Sequence, residues 1–174
     1  ESQNVFGMVS LGSQNDIVRE FGVSSLEKAC SAIKNGKIKQ VDLGVVTADA
    51  LKPFYFLGAA SLGLGTAVNR YTENLRKSPI PSRLLEIYGM LGVYDSFSSG
   101  KVPVPLTLKY DNKTITDNFS LIVFNNTSFY AGGKRLSLDA MPYDGLLDCC
   151  CVTSGSFSRF LRVYSLYIIG KHAS

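Results

Sequence analysis

The sequence has no tryptophan, one histidine (His172) and only four cysteines in 174 residues. With one histidine and no Cys-x-x-Cys spacing, a four-ligand zinc site is not expected. Cys30 stands alone, and Cys149, Cys150 and Cys151 are consecutive. Neighbours on a strand point to opposite faces and do not bridge readily. Reduced, buried thiols of an intracellular protein are therefore expected. Long apolar runs are missing too. The longest, "FYFLGAASLGLG" from Phe54 to Gly65, falls well short of the ~20 residues that a spanning helix needs. No leader peptide is recognisable, so the Asn-x-Ser/Thr matches at Asn112, Asn118, Asn125 and Asn126 are read as chance. A dense basic stripe is also absent. Net charge is +4, which argues against a nucleic-acid partner. That charge suits an anionic small molecule or membrane surface, and is also common in proteins with neither.

What is present is the material of one domain or one and a half: 45% hydrophobic and 18% charged residues. A short helix is expected from Asp16 to Phe21, capped by Asn15 or Asp16 and ended by Gly22. "SSLEKACSAIKNGK" reads as a second helix, capped by Ser24 or Ser25, with Leu26, Ala29, Cys30 and Ile33 on one face. A strand is expected from Lys37 to Val46, and another, buried on both faces, over "PFYFLGAASLG". "GTAVNRYTENLRK" and "PSRLLEIYGMLGVYDSF" read as helices. The first should end before Pro79. The second carries an apolar face of Leu84, Leu85, Ile87, Tyr88, Leu91 and Tyr94. "VPVPLTLKY" and "TITDNFSLIVFNN" form a hairpin about a "DNK" turn. "DCCCVTS" is a later strand, and "FSRFLRVYSLYIIGKH" a closing amphipathic helix.

Two clusters carry candidate chemistry. "LGSQND", Leu11 to Asp16, places a glycine, a hydroxyl, an amide and an acid at a helix start. Backbone N–H groups there suit a phosphate, with Ser13 donating to a phosphoryl oxygen. The same letters also make an ordinary helix cap. The second cluster, "FNNTSFYAGGKRLSLDAMPYDGLLDCCCV", holds Gly132-Gly133 and the turn Asp144-Gly145-Leu146-Leu147-Asp148. Gly-Gly opens backbone angles closed to other residues. The Asp144 carboxylate and nearby carbonyls can surround a hard cation, although "DGLLD" alone also reads as a hairpin turn.

In their order and spacing these pieces resemble the diacylglycerol kinase catalytic family, soluble lipid kinases related to sphingosine and ceramide kinases and distantly to NAD kinase. "LGSQND" resembles the family's G-T-x-N-D turn. "GKIKQVDLGVV" is similar to the strand opening its second domain, and "FYFLGAASLGLGTAV" to its Y-F-x-N-x-x-x-x-G-x-x-A-x-V segment. The second cluster is similar to N-x-x-x-x-G-G-G-x-x-x-x-P-x-A-x-x-x-D-G-x-L-D. The resemblance implies an α+β, mostly β fold. Residues 1–37 would be the end of an α/β nucleotide-binding domain, 38–155 an NAD-kinase-like β-sandwich with inserted helices, and 156–174 a helix leading out. It implies ATP contact at Gly12 and Ser13, with Asn15 and Asp16 beside the cleft. It implies a structural Mg²⁺ at Asp144, with the carbonyls of Met141 and Leu146. Departures fall at Gly58, where the family has asparagine, at Lys134 for the third glycine, and at Leu138 or Asp139 for a proline. No stretch matches the family's G-G-D-G-T nucleotide loop or the D-G-E turn with its general base, so the catalytic base is unassigned and the region reads as incomplete.

The function so implied is transfer of the γ-phosphoryl group of ATP to a lipid hydroxyl, most readily diacylglycerol, by a cytoplasmic protein that can touch a membrane surface. Apolar walls for the lipid would come from Phe54–Leu64 and Leu84–Phe97, stretches that also read as ordinary core. The basic edge of the closing helix, with Arg159, Arg162, Lys171 and His172, can meet an anionic interface or simply face water. Hairpin edges between Val102 and Phe124 leave a homodimer open. The rival readings are a kinase of a non-lipid alcohol and a non-catalytic lipid- or nucleotide-binding domain.

Overall fold

The computed structural model describes residues 5–12, 14–49, 51–73, 75 and 81–172. The architecture is α+β, with five helices and nine strands among the described residues. In chain order these are α1 (Asp16–Glu20), α2 (Leu26–Lys34), β1 (Gly44–Ala48), β2 (Leu51–Phe56), β3 (Ala59–Gly63), α3 (Leu64–Glu73) and α4 (Ser82–Ser98). Then follow β4 (Val104–Tyr110), β5 (Lys113–Phe119), β6 (Leu121–Asn125), β7 (Phe129–Tyr130), β8 (Lys134–Arg135), β9 (Asp148–Val152) and α5 (Phe157–Ile168). The chain divides into two compact units. One draws on residues up to Ala60 and on Asn125–Asp148, the other on Ser61–Phe124 and Cys149–Ser174.

In the first unit, α1 is barely more than one turn. Gly22, at φ 70°, ends it as expected, and the Val23 N–H returns to the Val18 carbonyl. Ser25 caps α2 by accepting from the Lys28 N–H. Of the apolar face expected on α2, Ala29 is buried, while Leu26, Cys30 and Ile33 are exposed. The strand expected from Lys37 begins only at Gly44. Before it, Asp42 donates its N–H to the Pro142 carbonyl and accepts on its own carbonyl from Asn126. Those bonds replace a ladder. The strand expected over "PFYFLGAASLG" is two strands, parted by a bend at Leu57–Gly58. It is not buried on both faces, since Phe54 and Tyr55 are exposed. β1 and β2 pair antiparallel, Val45 opposite Tyr55, and β7 and β8 form a second small pair.

In the second unit, Leu64, Val93, Val102 and Phe160 form the core, with Val68, Met90, Phe97, Leu121, Val152, Phe157 and Tyr164 against it. The end of α3 expected before Pro79 lies outside the described residues. The α4 face is corrected. Leu84, Ile87, Tyr88, Leu91 and Tyr94 are exposed, and Leu85 is half-buried, while Gly89, Gly92, Val93 and Ser96 are buried. The reason is close approach: a Cβ on Gly92 would stand 2.9 Å from the Tyr71 ring of α3, and one on Gly89 3.2 Å from Val68. The β4–β5 hairpin is as expected, with Leu106 opposite Asp117, and Asp111 at φ 47° in its turn. The expected return strand breaks at Ser120, however. Ser120 receives the Leu64 N–H, gives its own to Val152, and hydrogen-bonds Ser154 through its hydroxyl. Strand pairing passes there from β4–β5 to a three-stranded sheet in the order β3–β6–β9. Ser156 caps α5, accepting from Arg159.

The four cysteines are free thiols, but the expectation that they are buried fails. Cys30, Cys149 and Cys151 are exposed and Cys150 is half-buried. Exposure alternates along β9, so Cys149 and Cys151 share its open face.

Candidate functional site

The site is built within the first unit, from the Gly12–Asp16 turn, the 125–133 segment and the loop after Met141. Asn15 adopts the left-handed region, φ 55°, and does not cap α1. Left-handed backbone turns its carboxamide back: Oδ1 accepts the Gly12 N–H at 3.0 Å, and Nδ2 donates to the Gly12 carbonyl at 2.6 Å. The turn is thereby closed on itself before any ligand arrives. Asp16 does not cap either. Its carboxylate accepts from the backbone N–H groups of Gly132 at 3.1 Å and Gly133 at 2.5 Å. Ser13 lies outside the described residues.

The residues that receive Asp16 are a run in the left-handed half of backbone space: Ala131 at φ 54°, Gly132 at 101° and Gly133 at 81°. Ala131 is thus the non-glycine of this left-handed run, and Lys134 pairs in β8. An alanine held left-handed costs about 1–2 kcal/mol, and a glycine gives back roughly 0.5–1 kcal/mol in unfolded-chain entropy. Ala131→Gly is expected to raise stability by about 0.5–1 kcal/mol, read from the urea midpoint. A Cβ on Gly133 would lie 3.1 Å from the Arg19 guanidinium carbon, the far end of a flexible side chain that need give only a few tenths of an ångström. Arg19, whose Nε donates to the Gln14 carbonyl at 3.2 Å, sets a positive charge beside the glycine run. A shallow hollow of about 520 Å³ opens along Met8, Val9 and Gln14–Val18.

Residues 125–128 are a buried polar strip that ties α1 to the acidic loop. Ser128 donates its N–H and hydroxyl to Glu20, at 2.9 and 2.7 Å. Asn126 donates its amide hydrogens to the Asp42 and Leu57 carbonyls. Gly58 faces this strip: a Cβ there would stand 3.8 Å from the Thr127 hydroxyl oxygen, which is buried with no hydrogen-bond partner among the described residues.

In the acidic loop, Asp144 Oδ1 accepts the Leu146 N–H at 2.9 Å, folding Leu146 back over its carboxylate. The Asp42 carboxylate accepts the Gly145 N–H at 2.8 Å. Met141, Asp144 and Leu146 are exposed. Partial burial raises the Asp148 carboxyl above the ordinary carboxylate range, and the charges of Asp144 and Asp139 raise it further. The loop thus carries more negative charge than its own hydrogen bonds offset. Among the described residues no group of three or more His, Cys, Asp or Glu side chains gathers for a metal, so side chains alone do not make a cage. The carboxylates and exposed carbonyls of this loop are nevertheless all oxygen donors, which fit a hard cation such as Mg²⁺.

Because the folded state holds the Asp148 proton more tightly than the unfolded chain, ionising it costs stability. That cost is absent below the ordinary carboxylate range. It grows as pH rises from there through the raised folded value, and is constant above. Asp148→Asn is expected to raise the denaturation midpoint at neutral pH and to leave it unchanged at the acid end, checked by urea titrations across pH.

Sequence reasoning missed Asp42, Glu20 and Arg19. Asp42 had a signal: it is the acid that interrupts the apolar pattern of "QVDLGVV". Glu20 and Arg19 had none, since their partners lie over a hundred residues away or on backbone.

No family model matches the sequence. The chain is 28% identical over 169 residues to the diacylglycerol kinase of Mycobacterium tuberculosis, in strains CDC 1551/Oshkosh and ATCC 25618/H37Rv alike. The match covers 95% of this chain and 53% of that protein, so the chain spans about half the length of the curated relatives it matches. A diacylglycerol kinase structure from Bacillus anthracis str. Sterne superposes with a TM-score of 0.54 at 21% identity, over 90% of this chain and 46% of that one. A further structure from that organism reaches 0.60 at 23% identity, over 92% and 50%. The structural likenesses establish the fold alone. The sequence likeness bears out the resemblance read from the motifs: the chain is similar to diacylglycerol kinases along almost its whole length.

Proposed function

We propose that this chain is part of the catalytic region of an ATP- and Mg²⁺-dependent lipid kinase that moves the γ-phosphoryl group of ATP to the hydroxyl of a diacylglycerol-like lipid. The observation that carries this reading is the pair of hydrogen bonds from Gly132 and Gly133 to Asp16. The two motifs on which the kinase resemblance rests, over a hundred residues apart, meet in one place. Phosphoryl transfer asks a protein for positioning and charge more than for covalent chemistry.

In this reading Gly12 and Ser13 face the nucleotide phosphates. Asn15 keeps their turn closed, and Asp16 holds the glycine run at a fixed height. Arg19 adds positive charge where phosphate oxygens gather. Asp144, with the Met141 and Leu146 carbonyls, would hold Mg²⁺ in a structural role, and Asp42 would steady the loop through Gly145. When bound, the ion supplies charge that offsets the repulsion among Asp139, Asp144 and Asp148. The general base is not among these residues. Residues 1–37 belong in this reading to a nucleotide-binding domain, 38–155 to an NAD-kinase-like sandwich and 156–174 to an exit helix. Exposed Phe54, Tyr55 and Leu62, and separately Leu84, Ile87 and Leu91, are apolar surface of the kind a lipid substrate or bilayer meets. No helix among the described residues is long and apolar enough to cross a membrane. A homodimer through the β4–β5 hairpin is part of the same proposal.

The test is an acceptor panel. Full-length protein is given labelled ATP with diacylglycerol, ceramide, sphingosine or NAD. Label in phosphatidic acid above all other products is expected. Preference for NAD would move the protein to the non-lipid kinases, and no transfer from folded protein to any acceptor would leave a binding domain.

A further inference from the structure

The triple cysteine plays no part in the site above, yet β9 sorts it. Alternation along the strand sends Cys149 and Cys151 to one face, both exposed, and Cys150 to the other, half-buried. The two sulfurs on the open face stand 3.6 Å apart. A disulfide needs about 2.05 Å, with Cα atoms no more than ~6.8 Å apart. Two residues of strand span about 6.6–6.8 Å, the far limit of that range. Bridging is therefore disfavoured. A tetrahedral ion with metal–sulfur bonds of about 2.3 Å places two thiolates roughly 3.8 Å apart, close to the spacing found here.

We infer that Cys149 and Cys151 form a two-thiol clip for a thiophilic divalent cation of the zinc class, with solvent supplying the remaining ligands. Binding converts two thiols to thiolates. Two metal–sulfur bonds form, two S–H bonds break, and both protons leave to solvent, with no change of oxidation state. Partial burial, the contact with Cys151 and the neighbouring thiols push the Cys149 thiol up to about 12. Burial, and then the neighbouring Cys151, also raise Cys150. Because binding displaces two protons, affinity should climb with pH, by as much as about 100-fold per unit.

The experiment is a titration of reduced full-length protein with Cd²⁺, followed by sulfur-to-cadmium absorption and by proton release in weak buffer. One ion per chain and two protons per ion are expected. Cys149→Ser and Cys151→Ser should each lower affinity by about 100-fold or more, since each removes the second, intramolecular ligand. Cys150→Ser should leave it unchanged. Proton release by the unaltered protein gives the answer even if a serine variant fails to fold. Fewer than two protons per ion, no saturable binding, or a loss with Cys150→Ser equal to that of the other two would overturn the assignment.

Discussion

Asp16→Ala is expected to lower lipid phosphorylation by the full-length protein by about 10²-fold or more, with a smaller loss of stability. The carboxylate accepts two backbone N–H groups from Gly132 and Gly133. Charge-assisted bonds of this kind are worth about 1.5–3 kcal/mol each where water is excluded. Asp16 is half-buried, so about 2 kcal/mol in total is the reasonable scale for folding. The larger effect is on geometry. Without the carboxylate the left-handed run from Ala131 to Gly133 loses the group that fixes its height above the Gly12 turn. A misplacement of about 1 Å in a phosphoryl-transfer site costs about 10²-fold. Asp16→Asn should fall almost as far, because an amide offers one acceptor oxygen and turns an N–H₂ toward a donor. Paired kcat and urea-midpoint measurements separate the two effects. A variant as active as the parent would show that the contact is structural only.

Gly63→Ala is expected to cost the most stability of any single methyl addition considered, about 4 kcal/mol or more. Gly63 sits at φ 79° where β3 runs into α3, and a Cβ there would fall 2.3 Å from the Ser120 carbonyl oxygen. That carbonyl receives the Leu64 N–H at 2.9 Å. It also belongs to the residue where pairing changes from β5 to β6. The methyl can be housed only by moving backbone, which breaks the bond and tilts the corner. Gly22→Ala is the control. It has nearly the same φ, 70°, with nothing within 4 Å of its Cβ, and should cost only the left-handed penalty of about 1–2 kcal/mol. Chemical denaturation of the two variants reads the steric part as their difference. Equal losses would mean the corner has room to yield.

These corners explain what was legible in the sequence. The β4–β5 hairpin and the serine cap of α2 follow from local chemistry: "DNK" between alternating runs, and a serine before the helix. They need no distant partner and appear as expected. What failed depends on contacts distant in sequence. Asp42 leaves the strand pattern because Pro142, Asn126 and Gly145 engage it. α4 turns its glycines inward because Tyr71 and Val68 press against them, and its large apolar stripe stays outside. Asn15 and Asp16 read as caps because caps use the same letters, yet their side chains serve the Gly12 turn and the glycine run. The candidate site was legible as motifs, since "GSQND" and "DGLLD" carry their own spacing. Glu20 was not, because nothing near it in sequence marks a partner beyond a hundred positions, and Arg19 was not, because its partner is a backbone carbonyl that no sequence letter marks.

The measurement closest to the central claim is transfer of label from γ-labelled ATP to diacylglycerol in mixed micelles, by full-length protein and its Asp16→Asn variant, with and without Mg²⁺. The account predicts labelled phosphatidic acid from the parent at up to about 10²-fold the variant's rate, lost on chelation and restored by Mg²⁺. Equal transfer by both proteins, or none from a folded parent at saturating ATP and Mg²⁺, would contradict it.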